Sequence, residues 1–221
     1  MKDINSKDIS IEKIDWEKAQ KIFERDREAI LNRLNHEINR YPYVKEILLL
    51  LAGGALISAA LFMPGLHRSI PLYTWQGKGY KKYRLRQTLK RLHKQKVVEV
   101  FETKNGYLVK ITKNGLTRAL RYKLDEMNVK RKKSWDKKWR IAIFDIEEKK
   151  KKFRDEFRKR LKQLGFYALQ ESVYVHAFPC FDEVEFLRQV YEVPINVTYI
   201  LAEKIESQEN LEKFFQVGIF A

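Results

Sequence analysis

The side chains best suited to chemistry in this sequence lie between residues 80 and 110, and that chemistry is recognition of a polyanion. In the run KYRLRQTLKRLHKQK from Lys82, the leucines Leu85, Leu89 and Leu92 fall at i, i+4 and i+7, one apolar stripe of a helix. At 100° per residue the opposite side carries Tyr80, Tyr83, Arg84, Gln87, Arg91 and Lys94. Arginine can hold guanine O6 and N7 in a bidentate contact and glutamine can pair with an adenine edge, each worth about 1–3 kcal/mol of discrimination. Lys81, Lys82, Arg86 and Lys90 flank that face and suit phosphate. Two β-branched and aromatic runs follow, Val97–Thr103 and Tyr107–Ile111, joined through Lys104-Asn105-Gly106. Asn and Gly tolerate the positive φ of a tight hairpin. Lys104, Asn105 and Lys110 would then reach the backbone or minor groove of a duplex.

Other reactive types are sparse. His36, His67, His93 and His176 are scattered with no spacing that gathers metal ligands. Cys180 is the only cysteine, which excludes an intrachain disulfide, fits a reducing cytosol and reads as an inert, partly buried thiol. No phosphate loop, dinucleotide fingerprint or Ser-His-Asp signal occurs, so the expectation is a non-enzyme with no cofactor and no metal.

The elements that must position these residues follow from periodicity. Trp16, Ala19, Phe23, Ile30, Leu34, Ile38 and Tyr41 keep a helical period that Arg27 interrupts, with Asp15 as cap and Tyr41-Pro42 as stop. Ile47–Met63 is 17 residues without a charge, at the short limit for crossing about 30 Å of hydrocarbon. Pro64-Gly65 ends it abruptly, and the reading is a core helix, not a membrane span. A short helix around His67–Tyr73 is expected next, then the basic helix to about Lys96, the hairpin, and a helix capped by Thr112. Residues 43–125 thus read helix, helix, helix, strand, strand, helix, the order of a winged helix-turn-helix.

Beyond a linker MNVKRKKSWDKK with the basic run Lys130–Lys133, the pattern changes. Trp139–Ile146 reads as a strand ending near Asp145, and Lys149–Leu164 as a helix with Gly165 at its C′ position. Phe166–Gln170 and Ser172–Ala177 read as paired strands. Asp182 and Glu185 form a D-x-x-E capping box for a helix to Tyr191, and Asn196–Leu201 is the last strand. The order β-α-β-β-α-β is the ferredoxin-like unit. Leu211, Phe214, Phe215, Val217 and Phe220 are too apolar for a free end, and either add a strand across a dimer or pack on their own subunit.

The net charge is +16, and the window Lys78–Arg140 alone holds 22 Lys and Arg against 5 Asp and Glu. Such a field attracts polyanions and makes binding salt-dependent.

The stretch WRIAIFDIEEKKKKFRDEFRKRLKQLGFYALQESVYV resembles the middle domain of PaaX-type transcriptional regulators. That domain is similar in turn to the small ferredoxin-like CRISPR-associated nuclease that supports spacer integration. The shared marks are an aromatic-Asp-Ile triplet ending the first strand, a Lys/Arg-rich helix, Leu-Gly-Phe at its end, and Gln-x-Ser-Val-Tyr after it. The resemblance covers about residues 43–205. It departs from the PaaX pattern in adding residues 1–42 and in lacking the helical third domain, which leaves the effector unknown.

The resulting expectation is an α+β protein with an N-terminal amphipathic helix (1–42), a winged helix DNA-binding domain (43–126), a basic linker (127–138) and a ferredoxin-like dimerisation domain (139–221). It would act as a cytoplasmic homodimeric regulator, a repressor by preference, on double-stranded operator DNA. The alternative that the resemblance implies is a metal-dependent nuclease or accessory of CRISPR adaptation, with Asp145 as the catalytic residue.

Overall fold

The computed structural model describes residues 9–30, 44–53, 79–103, 106–206 and 208–218. The chain is α+β, and its contacts gather it into two units. Residues Gln20–Glu126 form one; Met1–Ala19 together with Met127–Ala221 form the other. The chain therefore crosses between units twice, the first time inside helix α1 (Trp16–Glu24).

In the Gln20–Glu126 unit, α2 (Val44–Ala52) is buried along nearly its whole length, with Leu48 fully enclosed. It packs against α4 (Lys113–Glu126), whose Ala119, Leu120 and Leu124 face inward. Between them in sequence come α3 (Gly79–Lys94) and the antiparallel pair β1 (Val98–Thr103) and β2 (Gly106–Ile111). Phe23 meets this core at Gly53, where a Cβ would come within 2.9 Å of the Phe23 Cβ. The half-buried Asp26 accepts from the buried Lys123 ammonium at 2.5 Å, so that charge is paired. Lys45 and Glu126 tie α2 to the end of α4.

The single long helix expected from Trp16 is interrupted. Asp15 does cap it, its Oδ1 accepting from the Lys18 N–H at 3.3 Å, but the first segment stops at Glu24. Arg25 and Asp26 form a turn in which the Asp26 N–H bonds back to Phe23 O at 3.3 Å, and helix resumes over residues 27–30. The expected helical positions Leu34, Ile38 and Tyr41 lie outside the described residues. So do residues 54–63 of the apolar stretch and the short helix around His67–Tyr73. Among the described residues no helix is long and apolar enough to cross a membrane.

The second unit holds a four-stranded antiparallel sheet in the order β4-β5-β3-β6. Its strands are β3 (Trp139–Phe144), β4 (Tyr167–Gln170), β5 (Val173–His176) and β6 (Val197–Ala202). Helices α5 (Lys151–Gln163) and α6 (Phe181–Val190) complete a β-α-β-β-α-β order. Phe144 packs edge-on against Phe157 of α5 and stacks on Tyr174, which fixes the helix-covered face. Gly165 ends α5 with φ +85, a left-handed value that a side chain would resist.

One expectation is corrected here and one open alternative is decided. The capping box does not form: α6 starts one residue early, with Cys180 at its N-cap and no side-chain cap. Glu185 is drawn instead into the buried side of the helix, where Gln189 Nε2 donates to it at 2.8 Å and Arg188 at 2.8 Å. Of the two alternatives for the apolar tail, packing on its own subunit is the one seen, as a helix, α7 (Glu209–Phe215), with Phe220 outside the described residues. Leu211, Phe215 and Val217 pack with Trp139, Val175 and Phe178, and Gln216 closes the helix at φ 55.

Residues 127–138 are only partly a hydrated linker. Lys130, Arg131, Lys132 and Lys133 are exposed, yet Val129 and Trp135 lie on the core, the Trp135 ring 4.7 Å from that of Trp139. Asp136 grips the buried Arg140 through both carboxylate oxygens, while Arg140 also donates to Lys138 O at 2.7 Å and Ala177 O at 2.8 Å. A buried guanidinium is tolerable only when so many donors are satisfied. Hydrogen bonding to Arg140 holds the Asp136 carboxyl below its usual range.

Candidate nucleic-acid interface

Helix α3 presents the residues singled out by the sequence. Leu89 and Leu92 are buried, whereas Gln87, Lys90, Arg91 and Lys94 are exposed. The helix backbone extends back through Tyr80, Lys81, Lys82, Tyr83 and Arg84, whose side chains lie outside the described residues. From Tyr80 to Lys96 the sequence holds eight Lys and Arg and no Asp or Glu, so no carboxylate within the helix offsets its field.

The end of α3 is set by local geometry. Lys96 turns at φ 57, the Val97 N–H returns to Leu92 O at 3.2 Å, and the buried Val97 and Val98 begin the strand. Thr103 pairs with Gly106, so of the expected Lys104-Asn105-Gly106 connection Gly106 belongs to β2. Lys104 and Asn105 themselves lie outside the described residues. Lys110 is exposed on β2, directly opposite Glu99.

Three contacts hold the hairpin and α3 to α4. Thr112 Oγ1 donates to Lys96 O at 2.7 Å and accepts from the Gly115 N–H at 3.2 Å, which is the expected N-cap. Arg118 donates to Gln95 at 3.0 Å and to the Tyr122 hydroxyl at 2.7 Å. At Gly115 the first turn of α4 approaches β1 so closely that a Cβ would lie 2.0 Å from Val97 O. The cationic helix is thus fastened at its C-terminal end, with Gln87, Lys90, Arg91 and Lys94 left to solvent.

The catalytic alternative rests on Asp145. It is exposed just after β3, its N–H donating to Asn196 O at 2.9 Å and its carbonyl accepting from Asn196 Nδ2 at 3.0 Å. Nearby Glu148 is engaged by Arg154 at 2.9 Å, which lowers its pKa. Among the described residues no group of three His, Cys, Asp or Glu gathers to hold a metal.

Cys180 is buried, with Sγ 3.7 Å from the Tyr199 hydroxyl, and burial pushes its thiol up to about 12. Such a thiol is a poor nucleophile. His93 is exposed with Nδ1 3.2 Å from Val98 O. His176 is buried, its Nδ1 accepting from the Phe178 N–H at 2.9 Å, and burial lowers its pKa to about 4. His36 and His67 lie outside the described residues. Sequence reasoning missed the Asp136–Arg140 clasp, for which the only signal was an unlike-charge pair four residues apart outside any helix.

By fold, the Met127–Ala221 unit belongs to the class of β-α-β-β-α-β domains on a four-stranded antiparallel sheet. Residues 132–214 match the family model described as the PaaX protein central Cas2-like domain. No curated protein matches the chain.

Proposed function

We propose that this protein is a DNA-binding transcriptional regulator, a repressor that binds duplex operator DNA as a homodimer. The observation that carries the reading is the face of α3, where Gln87, Arg91 and Lys94 stand exposed over buried Leu89 and Leu92 in a helix without acidic residues. The helix, hairpin and helix order of α3, β1, β2 and α4 supports a winged helix-turn-helix, and the PaaX-type domain supports regulation as the setting. In this reading Arg84, Gln87 and Arg91, with Tyr80, Tyr83 and Lys94, enter the major groove. Lys81, Lys82, Lys90, Lys104, Asn105 and Lys110 contact the backbone.

The ferredoxin-like domain holds two copies, and two-fold symmetry requires a pseudo-palindromic operator with half-sites about one or two helical turns apart. The test is a footprint on the DNA flanking the protein's own gene, followed by binding of variants. Arg84→Ala and Arg91→Ala should reduce preference for the footprinted site, whereas Lys90→Ala should weaken all duplexes alike. Equal losses on operator and arbitrary DNA for all three would refute the division of labour.

A further inference from the structure

The near-neutral charge of the chain outside residues 78–140 conceals a second segregation. From Lys149 to Lys162 there are nine Lys and Arg against two carboxylates, a net of +7. The following residues 163–218 hold three basic and nine acidic side chains, a net of −6. A surface evolved only for solubility mixes signs; this stretch separates them, and its positive part is α5 with the two lysines just before it.

The carboxylates of that helix are already occupied. Asp155 faces Arg158 at 3.9 Å, and the buried Glu156 lies between Lys159 at 3.7 Å and Arg160 at 3.3 Å. Just before the helix, Glu148 takes Arg154 and Lys151. Arg154, Arg158 and Arg160 are therefore engaged along α5 by carboxylates, and Lys159 shares Glu156 with Arg160. Lys152, Lys159 and Lys162 fall within about 80° of one another on the side away from Phe157 and Leu161. Their Cα positions span about 15 Å of helix axis. A duplex strand places one phosphate per about 3.4 Å of its axis, so each lysine can meet a different phosphate.

We propose that α5 is a second phosphate-binding surface, one that takes the sugar-phosphate backbone of duplex DNA without reading its sequence. The proposal rests on the DNA-binding reading above and adds to it a sequence-independent contact in the other unit. Lysine fits this role as a mobile point charge, where arginine would favour a fixed bidentate pose.

The experiment measures binding of the full-length protein to an arbitrary 40-base-pair duplex across salt concentrations. It compares the wild type, K152Q/K159Q/K162Q, the charge-preserving K152R/K159R/K162R, and K90Q/R91Q/K94Q in α3. Each lost phosphate contact removes about 0.9 from the slope of log affinity against log salt, so the α5 glutamine variant should lose up to about 2.7. Its fall in affinity between 50 and 200 mM salt should accordingly be about 40-fold smaller than that of the wild type, and the arginine variant should bind as the wild type does. Unchanged slope and affinity in the α5 glutamine variant, with a loss in the α3 variant, would overturn this proposal and leave the DNA-binding reading standing. A wild type that binds no duplex would overturn both. Tighter binding of an RNA duplex through the same lysines would overturn the assignment to DNA.

Discussion

His176 makes the stability of its domain depend on pH in a calculable way. Its ring is 4% exposed, ringed by Phe166, Phe178 and Phe215 at centroid distances of 5.0, 6.0 and 5.1 Å. Its Nδ1 accepts from the Phe178 N–H, which requires the neutral imidazole. Burial lowers the folded pKa to about 4 from 6.5, and the positive charges of Arg131 and Arg140 act in the same direction. Because the folded value is depressed, the unfolded chain takes up a proton first as pH falls. The contribution is complete above the unfolded value near 6.5, and is lost progressively from there down to about 4. At about 1.4 kcal/mol per unit, the full loss is about 3 kcal/mol and the part between pH 6.5 and 5 is about 2 kcal/mol. Denaturant unfolding followed by tryptophan fluorescence at stepped pH should be run on the wild type and on His176→Asn. Asparagine keeps an acceptor for Phe178 but does not titrate, and every other titratable group is common to both proteins. The stability difference between the two should move by about 2 kcal/mol toward the variant between pH 6.5 and 5. A constant difference, or an imidazole that titrates near 6.5 in the folded protein by NMR, would refute the argument.

Three further outcomes are expected. Gly115→Ala forces a Cβ into Val97 O, and since backbone cannot yield as a side chain can, it should lower stability by about 1–3 kcal/mol, read as a fall in melting temperature. Arg140→Ala removes the donors to Ala177 O and Lys138 O and leaves Asp136 without its partner; about 3 kcal/mol should be lost in chemical denaturation. Asp145→Ala should leave duplex binding unchanged, and neither it nor the wild type should cleave labelled DNA or RNA with Mg²⁺ or Mn²⁺. Cleavage that disappears in the variant would overturn the non-enzyme reading.

Where a residue's role is set by its near neighbours, the sequence was readable. The Leu89 and Leu92 stripe, the Thr112 cap, the Asp15 cap and the Gly165 stop all depend on spacings of four residues or fewer, and each stands as expected. The β-α-β-β-α-β order was legible for the same reason, since each element carries its own periodicity. The errors arose where a local rule met tertiary competition. Asp182 and Glu185 have the spacing of a capping box, but Gln189 and Arg188 claim Glu185 from within the same helix. Leu211 to Phe220 announced burial without saying in which conformation, and helix α7 was settled by the Trp139 surface it covers. The α3 side chains named as base readers are of suitable type, but no sequence rule distinguishes a base contact from a phosphate contact on one cationic face. The charge of α5 was hidden by summing over half the chain; counting by element reveals it.

The route of the chain between its two units limits how the protein can be dissected. Lys13 pairs with Glu192 at 2.8 Å, and the Asp15 N–H donates to Gln189 at 3.2 Å, so the first crossing begins on α6. Only a few residues later Phe23 and Asp26 serve the other unit, at Gly53 and Lys123. A cut at residue 42 or at residue 127 therefore does not release an intact half. A fragment beginning at residue 43 leaves a void beside Gly53 and a buried ammonium at Lys123 without its carboxylate. One beginning at residue 127 uncovers Gln189 and Glu192. The two units are interleaved in sequence, and neither gene segment alone encodes a complete folding unit.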